Sequence, residues 1–301
     1  MKRLITIVLT LFLFNPTFSC LNGDSKVLKD GTFLYEDREG NVPYGHDFYV
    51  DNYDKLINKL DSLYNSTKDI DYLSDKGLLL ILLKKYESAI KLYLNIEKIK
   101  PDRYSTASNI GTAYELIGEN KKALRWIKKS VELDSESHNN SEWIHVKILE
   151  AKIKGEQFYT TNFLLNTDFG LDILPNTQMP YEQLQDLSNS LYYQLNERVS
   201  FVKPEDKIVA QLLFDIGNIA FLLRNNYDAL ADYKQAKIYG YEGELIEKRI
   251  EQTKLLIKEV ERNRELKRLN DNKYSYLKCV LLICGGLILT ILLIMIFKRN
   301  N

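Results

Sequence analysis

NIGTAYELIGENKKALRWIKKSVEL, residues 109–133, sets two glycines inside an apolar pattern that otherwise suits a helix. Glycine in a helix interior costs roughly 0.5–1 kcal/mol relative to alanine, so Gly111 and Gly118 each need a reason. Tyr114 and Leu116 continue an apolar stripe past Gly111. Gly118, followed by Glu119 and Asn120, then reads as a turn that needs φ > 0. Ala123 and Ile127 open a second apolar stripe beyond it. The stretch therefore predicts two helices joined by a tight turn, with Gly111 where they approach most closely.

The pattern is repeated. Gly77, Ala89, Tyr93 and Pro101 precede Gly111, Ala123, Ile127 and Ser135 by 34 residues each. A third copy, LLFDIGNIAFLLRNNYDALADYKQAKIYG, places Gly217, Ala229, Tyr233 and Ala236 at the same mutual spacing, with Asn225-Asn226 expected as its turn. From Gly111 to Gly217 is 106 residues, close to three periods, so one or two degenerate units lie between. SEWIHVKILEAKI (141–153) carries Trp143, Ile144 and Ile148 as a helical stripe, and residues 181–201 space Leu184, Leu187, Leu191 and Leu195 likewise. The intervening 158–180 holds two prolines and no helical period, and reads as a long loop inserted in the third unit.

A Gly…Ala…aromatic pattern at a 34-residue period resembles the tetratricopeptide repeat superfamily, over about residues 50–240. SEWIHVKILEAKI and FVKPEDKIVAQLLFDIGN are similar to stretches of exported tetratricopeptide proteins from Bacteroidetes-type bacteria. The resemblance implies an all-α superhelix built from helix pairs. Gly77, Gly111 and Gly217 would lie where the first helix of each pair meets its second. Ala89, Ala123 and Ala229 would stand in the close packing of the second helices, with Tyr93, Ile127 and Tyr233 filling the space beyond and Tyr114 in the stripe of a first helix. In such a stack the first helices of the pairs line a concave face. Counting from the repeat register, that face is reached by Ser105, Ser108, Thr112 and Glu115, then Asn139, Glu142, Val146 and Glu150, then Gln211, Phe214, Asn218 and Phe221. These are the candidate residues for a bound protein or peptide of some basic character. Clamps for a chaperone's C-terminal carboxylates need Lys or Arg where this chain has Asp71, Ser74, Ser105 and Ser108, which argues against that ligand class.

Outside the repeats, residues 51–68 predict an N-terminal capping helix through Tyr53, Leu56, Ile57, Leu60, Leu63 and Tyr64, and residues 20–50 look extended. Residues 243–276 predict one charged helix, with Ile246, Ile250, Thr253, Ile257 and Val260 on one side, capping the stack and continuing as a stalk.

The two ends are apolar. Met1, Lys2 and Arg3 precede LITIVLTLFLF and a polar region ending in Thr17, Phe18 and Ser19, the layout of a signal peptide over 1–19. Cleavage there makes Cys20 the first mature residue and a candidate for lipidation. Thr17 and Phe18 depart from the usual aliphatic-then-small pattern, and the alternative is an unmodified cysteine. CVLLICGGLILTILLIMIF (279–297) has no charge and, at about 1.5 Å per residue, reaches roughly 28 Å, enough to span a bilayer. The expected topology exports the repeats and leaves 298–301 in the cytoplasm, despite the basic outer flank of Arg264, Lys267, Arg268, Lys273 and Lys278. Long domains translocate largely regardless of charge.

The charges balance, 41 basic against 41 acidic residues, so the chain carries no nucleic-acid footprint. Its three cysteines, Cys20, Cys279 and Cys284, lie outside the repeats and form neither a disulfide framework nor a zinc site there. His46, His138 and His145 are scattered and read as surface or capping residues. TDFG at 167–170 has no phosphate loop beside it and reads as a turn. No catalytic, metal or cofactor site is expected. The expectation is a membrane-tethered interaction scaffold of the cell envelope, the alternative a sensor subunit acting through a membrane partner.

Overall fold

A computed structural model describes residues 25–37 and 40–299, with side chains given at only a few positions beyond 272. The signal segment and Cys20 lie outside the described residues. Residues 25–50 begin as an antiparallel hairpin, β1 (Ser25–Val27) and β2 (Phe33–Glu36). Helices α1 (Tyr53–Thr67), α2 (Ile70–Leu82), α3 (Tyr86–Ile99), α4 (Tyr104–Leu116) and α5 (Asn120–Leu133) follow. After them come α6 (Ser137–Asn140), α7 (Glu142–Lys154), α8 (Thr161–Leu165), α9 (Tyr181–Phe201), α10 (Lys207–Leu222), α11 (Asn226–Ile238) and α12 (Glu244–Arg299).

Three helix pairs, α2/α3, α4/α5 and α10/α11, repeat one packing device. A methyl group on Gly77 would sit 2.4 Å from the Tyr93 ring, one on Gly111 2.4 Å from Ile127, and one on Gly217 2.7 Å from Tyr233. No side chain fits at those distances, so glycine is what lets each pair close. Ala89, Ala123 and Ala229 are fully buried in the same seams. Each long aromatic side chain also ends in a hydrogen bond: Tyr93 Oη donates to the Ser74 carbonyl at 2.8 Å, and Tyr233 Oη to Asn218 Oδ1 at 2.9 Å.

The turns repeat too. Lys84, Gly118 and Arg224 adopt φ of +58°, +81° and +65°. The next N–H in each turn reaches back to the carbonyl of Leu80, Tyr114 and Ala220, at 2.8, 2.9 and 2.8 Å. This is the left-handed helix C-cap, and glycine fills it without strain only in the second copy. The third turn thus pivots on Arg224; Asn226, expected within it, already opens α11.

The third unit breaks the rule. His145 stands 34 residues after Gly111, at the position where the other pairs need glycine. Gly155, at φ +104°, ends α7 where a second helix would begin. The chain instead passes through a single 3-10 turn (Glu156–Phe158), α8 and an irregular segment before α9, so the expected loop at 158–180 contains helical structure. α9 then packs on α10 and touches α6 and α7.

Apolar burial follows this division. One cluster joins Ile144 and Ile148 of α7 to α8–α12, another holds α2–α4, and a third seats Leu28, Leu34 and Tyr35 of the hairpin region on Leu56, Leu60, Leu78 and Leu79. α12 caps α11 through buried Ile246, Ile250, Thr253 and Ile257, and its exposed side chains begin to dominate from Val260. Among the described residues no helix is long and apolar enough to cross a membrane. Most side chains of 279–297, where the span is expected, lie outside them.

Candidate functional site

The face carried by α4 and α7 is covered by the chain itself. α9 lays its C-terminal half across both helices, and the contact is ionic. Arg198 grips Glu115 of α4 through Nη1 at 2.7 Å and Nη2 at 3.2 Å. The same carboxylate accepts from Lys152 Nζ at 2.7 Å and lies 2.6 Å from His145 Nε2, both on α7. Burial by itself would raise the Glu115 carboxyl, but the charges of Arg198, Lys152 and His145 outweigh it and hold the group well below the usual carboxylate range.

A second buried carboxylate lies beside the first. Glu142 accepts from Tyr104 Oη and Ser108 Oγ, each at 3.0 Å, and lies 2.9 Å from His138 Nδ1. His145 Nδ1 stands 3.6 Å from the same carboxylate. The imidazole of His145 is thus bracketed by two carboxylates. Burial pushes its pKa down, but Glu115 and Glu142 outweigh that and raise it above its ordinary value. Gln194 of α9 adds a hydrogen bond to Ser141 at 3.2 Å.

Further along α9, Asn196 and Ser200 tie down the segment after the hairpin. Asn196 accepts from the Gly45 N–H at 2.8 Å and donates to Asp37 at 2.8 Å, while Ser200 accepts from the His46 N–H at 2.9 Å. His46 stacks on Tyr35 at 3.9 Å and pairs with Asp37 at 3.0 Å. The side chains of all three histidines are therefore buried beside carboxylates, which corrects the surface reading made from the sequence.

The face of α10 is covered by other elements. Arg249 of α12 is fully buried and lies over Phe214, 5.2 Å from the ring centroid. It donates to Asn218 Oδ1 at 2.6 Å and to the carbonyls of Phe169, Gly170 and Asp172 at 3.2, 2.7 and 3.0 Å. TDFG is thus a turn, with Gly170 at φ +68° and its carbonyl held by Arg249. Tyr241 stacks on Phe214 at 4.2 Å. Asp215, fully buried, accepts from Thr161 Oγ1 at 2.7 Å and from Gln211 Nε2 at 3.2 Å. Burial pushes its carboxyl up to about 7, against the pull of those two donors and of Arg249.

Glycine-seated helix pairs with a common left-handed cap decide the architecture. The chain resembles the tetratricopeptide repeat superfamily. No family profile matches it, and no curated protein matches it. One similar solved structure, a tetratricopeptide repeat protein from Parabacteroides merdae, aligns at 17% identity over 67% of this chain and 77% of its own, with a TM-score of 0.33. A score that low carries no argument, and the resemblance rests on the repeat geometry described above.

Most residues expected to line an open groove are inside. Ser105, Ser108, Glu115, Glu142, Phe214 and Asn218 are buried. Thr112 is half-buried beside Arg198 and Phe201 in a small cavity between α4, α7 and α9. Val146 packs toward Ala123 and Ile127 of α5, and Glu150 pairs with Lys128 of α5 at 2.9 Å, so both face the neighbouring helix. Gln211 and Phe221 are half-buried, and the side chain of Asn139 lies outside the described ones. The residues that reading the chain missed are Arg198, Lys152, Gln194 and Arg249. One signal was present: a histidine at a glycine position of the repeat cannot enter a closed pair, so it requires an opened one and polar partners. Among the described residues no group of three or more His, Cys, Asp or Glu is arranged to hold a metal ion; the Glu115 and Glu142 carboxylates are engaged by cations and hydroxyls.

Proposed function

We propose that the chain is a protein-interaction scaffold of a bacterial envelope, its repeat body exported and tethered by a span at 279–297. The observation that carries the reading is where the polar chemistry went. The buried ionic groups hold helices to one another, while the segment after α8 presents Leu171, Ile173 and Leu174 to solvent, Leu171 at 89% exposure, beside the exposed Tyr181 that opens α9. Apolar side chains on a segment pinned by Arg249 form a surface that a partner protein would cover. A second reading, a sensor subunit, draws support from α12, which runs as one helix from Glu244 to Arg299 and would pass a displacement of the body toward the membrane.

Protease added to spheroplasts tests the topology: digestion of the body supports export, and full protection would refute it. Cross-linking in intact cells tests the scaffold role. Recurrent cross-links to one partner, lost with Leu171→Glu and Ile173→Glu together, are expected; cross-links unchanged by that pair would sink the reading of this surface. Replacing 279–297 by an unrelated apolar span separates the two roles, because a scaffold tolerates the exchange and a sensor does not.

A further inference from the structure

The break in the third repeat leaves a groove. His145 keeps α7 from pairing closely with a following helix, and α9 meets α7 through its C-terminal half, at Gln194 and Arg198. Toward the N-terminus of α9 an open groove of about 480 Å³ separates the start of α7 from α9. Its apolar lining comes from Trp143 of α7, Leu165 of α8, Met179 of the segment before α9, and Leu187 of α9. Gln183, Asp186 and Asn189 of α9 stand along it, all three exposed.

We propose that this groove binds a short extended peptide segment carrying an apolar side chain next to a lysine or arginine. The proposal rests on the scaffold reading and names one docking site and its ligand. Three features point to that chemistry. An extended strand brings unpaired N–H and C=O groups, whereas a helix satisfies its own. Gln183 and Asn189 offer side-chain amides, each with both a donor and an acceptor, which is the complement of such a backbone. The charge is also one-sided: no Lys or Arg lines the groove, and Asp186 makes no ion pair among the described residues. A basic side chain gains a partner there, and an acidic one meets repulsion. Trp143 provides a flat apolar wall, which also attracts a neighbouring cation.

Trp143 makes the test direct. The chain has two tryptophans, and Trp126→Phe leaves Trp143 as the sole reporter while keeping an aromatic ring at 126. The full-length variant in mild detergent is titrated with the blocked hexapeptide acetyl-Ser-Lys-Leu-Ser-Leu-Ser-amide, and separately with its Lys-to-Glu counterpart and with maltohexaose. Expected is a saturable change in Trp143 emission with the lysine peptide, at least about fivefold weaker with the glutamate peptide. Asp186→Lys, at an exposed position that folding does not depend on, should reverse the ranking of the two peptides, and Asn189→Leu should weaken both. An emission unmoved by either peptide overturns the proposal. So does equal response to both peptides, or response to maltohexaose alone. If the peptide fails while cross-linking still yields a partner, only this groove is refuted. If the peptide binds and cells yield no partner, the scaffold reading fails instead.

Discussion

Glu115→Lys is the most informative single change in this chain. Considered from the sequence, it is a mild reversal of charge on a solvated helix face. In the structure it removes the carboxylate shared by Arg198, Lys152 and His145, with contacts of 2.6–2.7 Å, and adds another cation among them. Breaking a buried ion pair by removing one partner typically costs about 3–5 kcal/mol, because the other charge is left buried and unpaired. The added ammonium sets that range as a floor. Against a total stability of about 5–15 kcal/mol, the loss is a large fraction. With a urea slope of about 2 kcal/mol per molar, the unfolding midpoint should fall by about 2 M or more, followed by far-UV circular dichroism. The double variant Glu115→Met, Arg198→Met should recover part of the loss, because it removes the added ammonium and the Arg198 charge together while Lys152 and His145 still lose their partner. A Glu115→Lys midpoint within about 0.3 M of the unaltered chain would refute the argument, since it would mean that α9 does not clamp α4 in solution.

Two further outcomes follow from the backbone and from buried acids. Lys84→Gly and Arg224→Gly should each stabilise the fold by about 0.5–1 kcal/mol, because both residues hold the left-handed cap that Gly118 fills without strain, and thermal unfolding would show the melting temperature rising for both. Burial pushes the Asp215 carboxyl up to about 7 in the fold, from an ordinary value of 3.8, so the folded state keeps a proton that the unfolded chain has lost between those values. Stability should therefore fall as pH rises through that window, by about 4 kcal/mol from this residue, and Asp215→Asn should flatten that part of the profile in urea titrations at pH 4 to 8. Burial moves the Asp232 carboxyl in the same direction, so an Asp215→Asn profile retains some slope.

The helix pairs were legible because their contacts are short in sequence. Gly111 meets Ile127, and Gly77 meets Tyr93, within a single hairpin, so spacing alone locates the close approach of the two helices. The cap at Gly118 was equally readable, since glycine marks a left-handed turn. Its counterparts at Lys84 and Arg224 were not, because neither side chain announces φ > 0 and the repeat register alone places them.

The face of the first helices was misjudged for a physical reason. A glutamate on a helix looks the same in sequence whether water or an arginine 83 residues away satisfies it. Glu115 and Glu142 were assigned to an open binding face because the repeat register puts them on the first helices and nothing within those helices buries them. The sequence by itself determined the period, the paired helices, the glycine seats and the one unit where histidine replaces glycine, all of which are set by local sterics. Only the tertiary structure decided that the opened third unit lets α9 fold back over α4 and α7. Once it does, desolvation forces every charge beneath it to find a partner, and the face becomes interior.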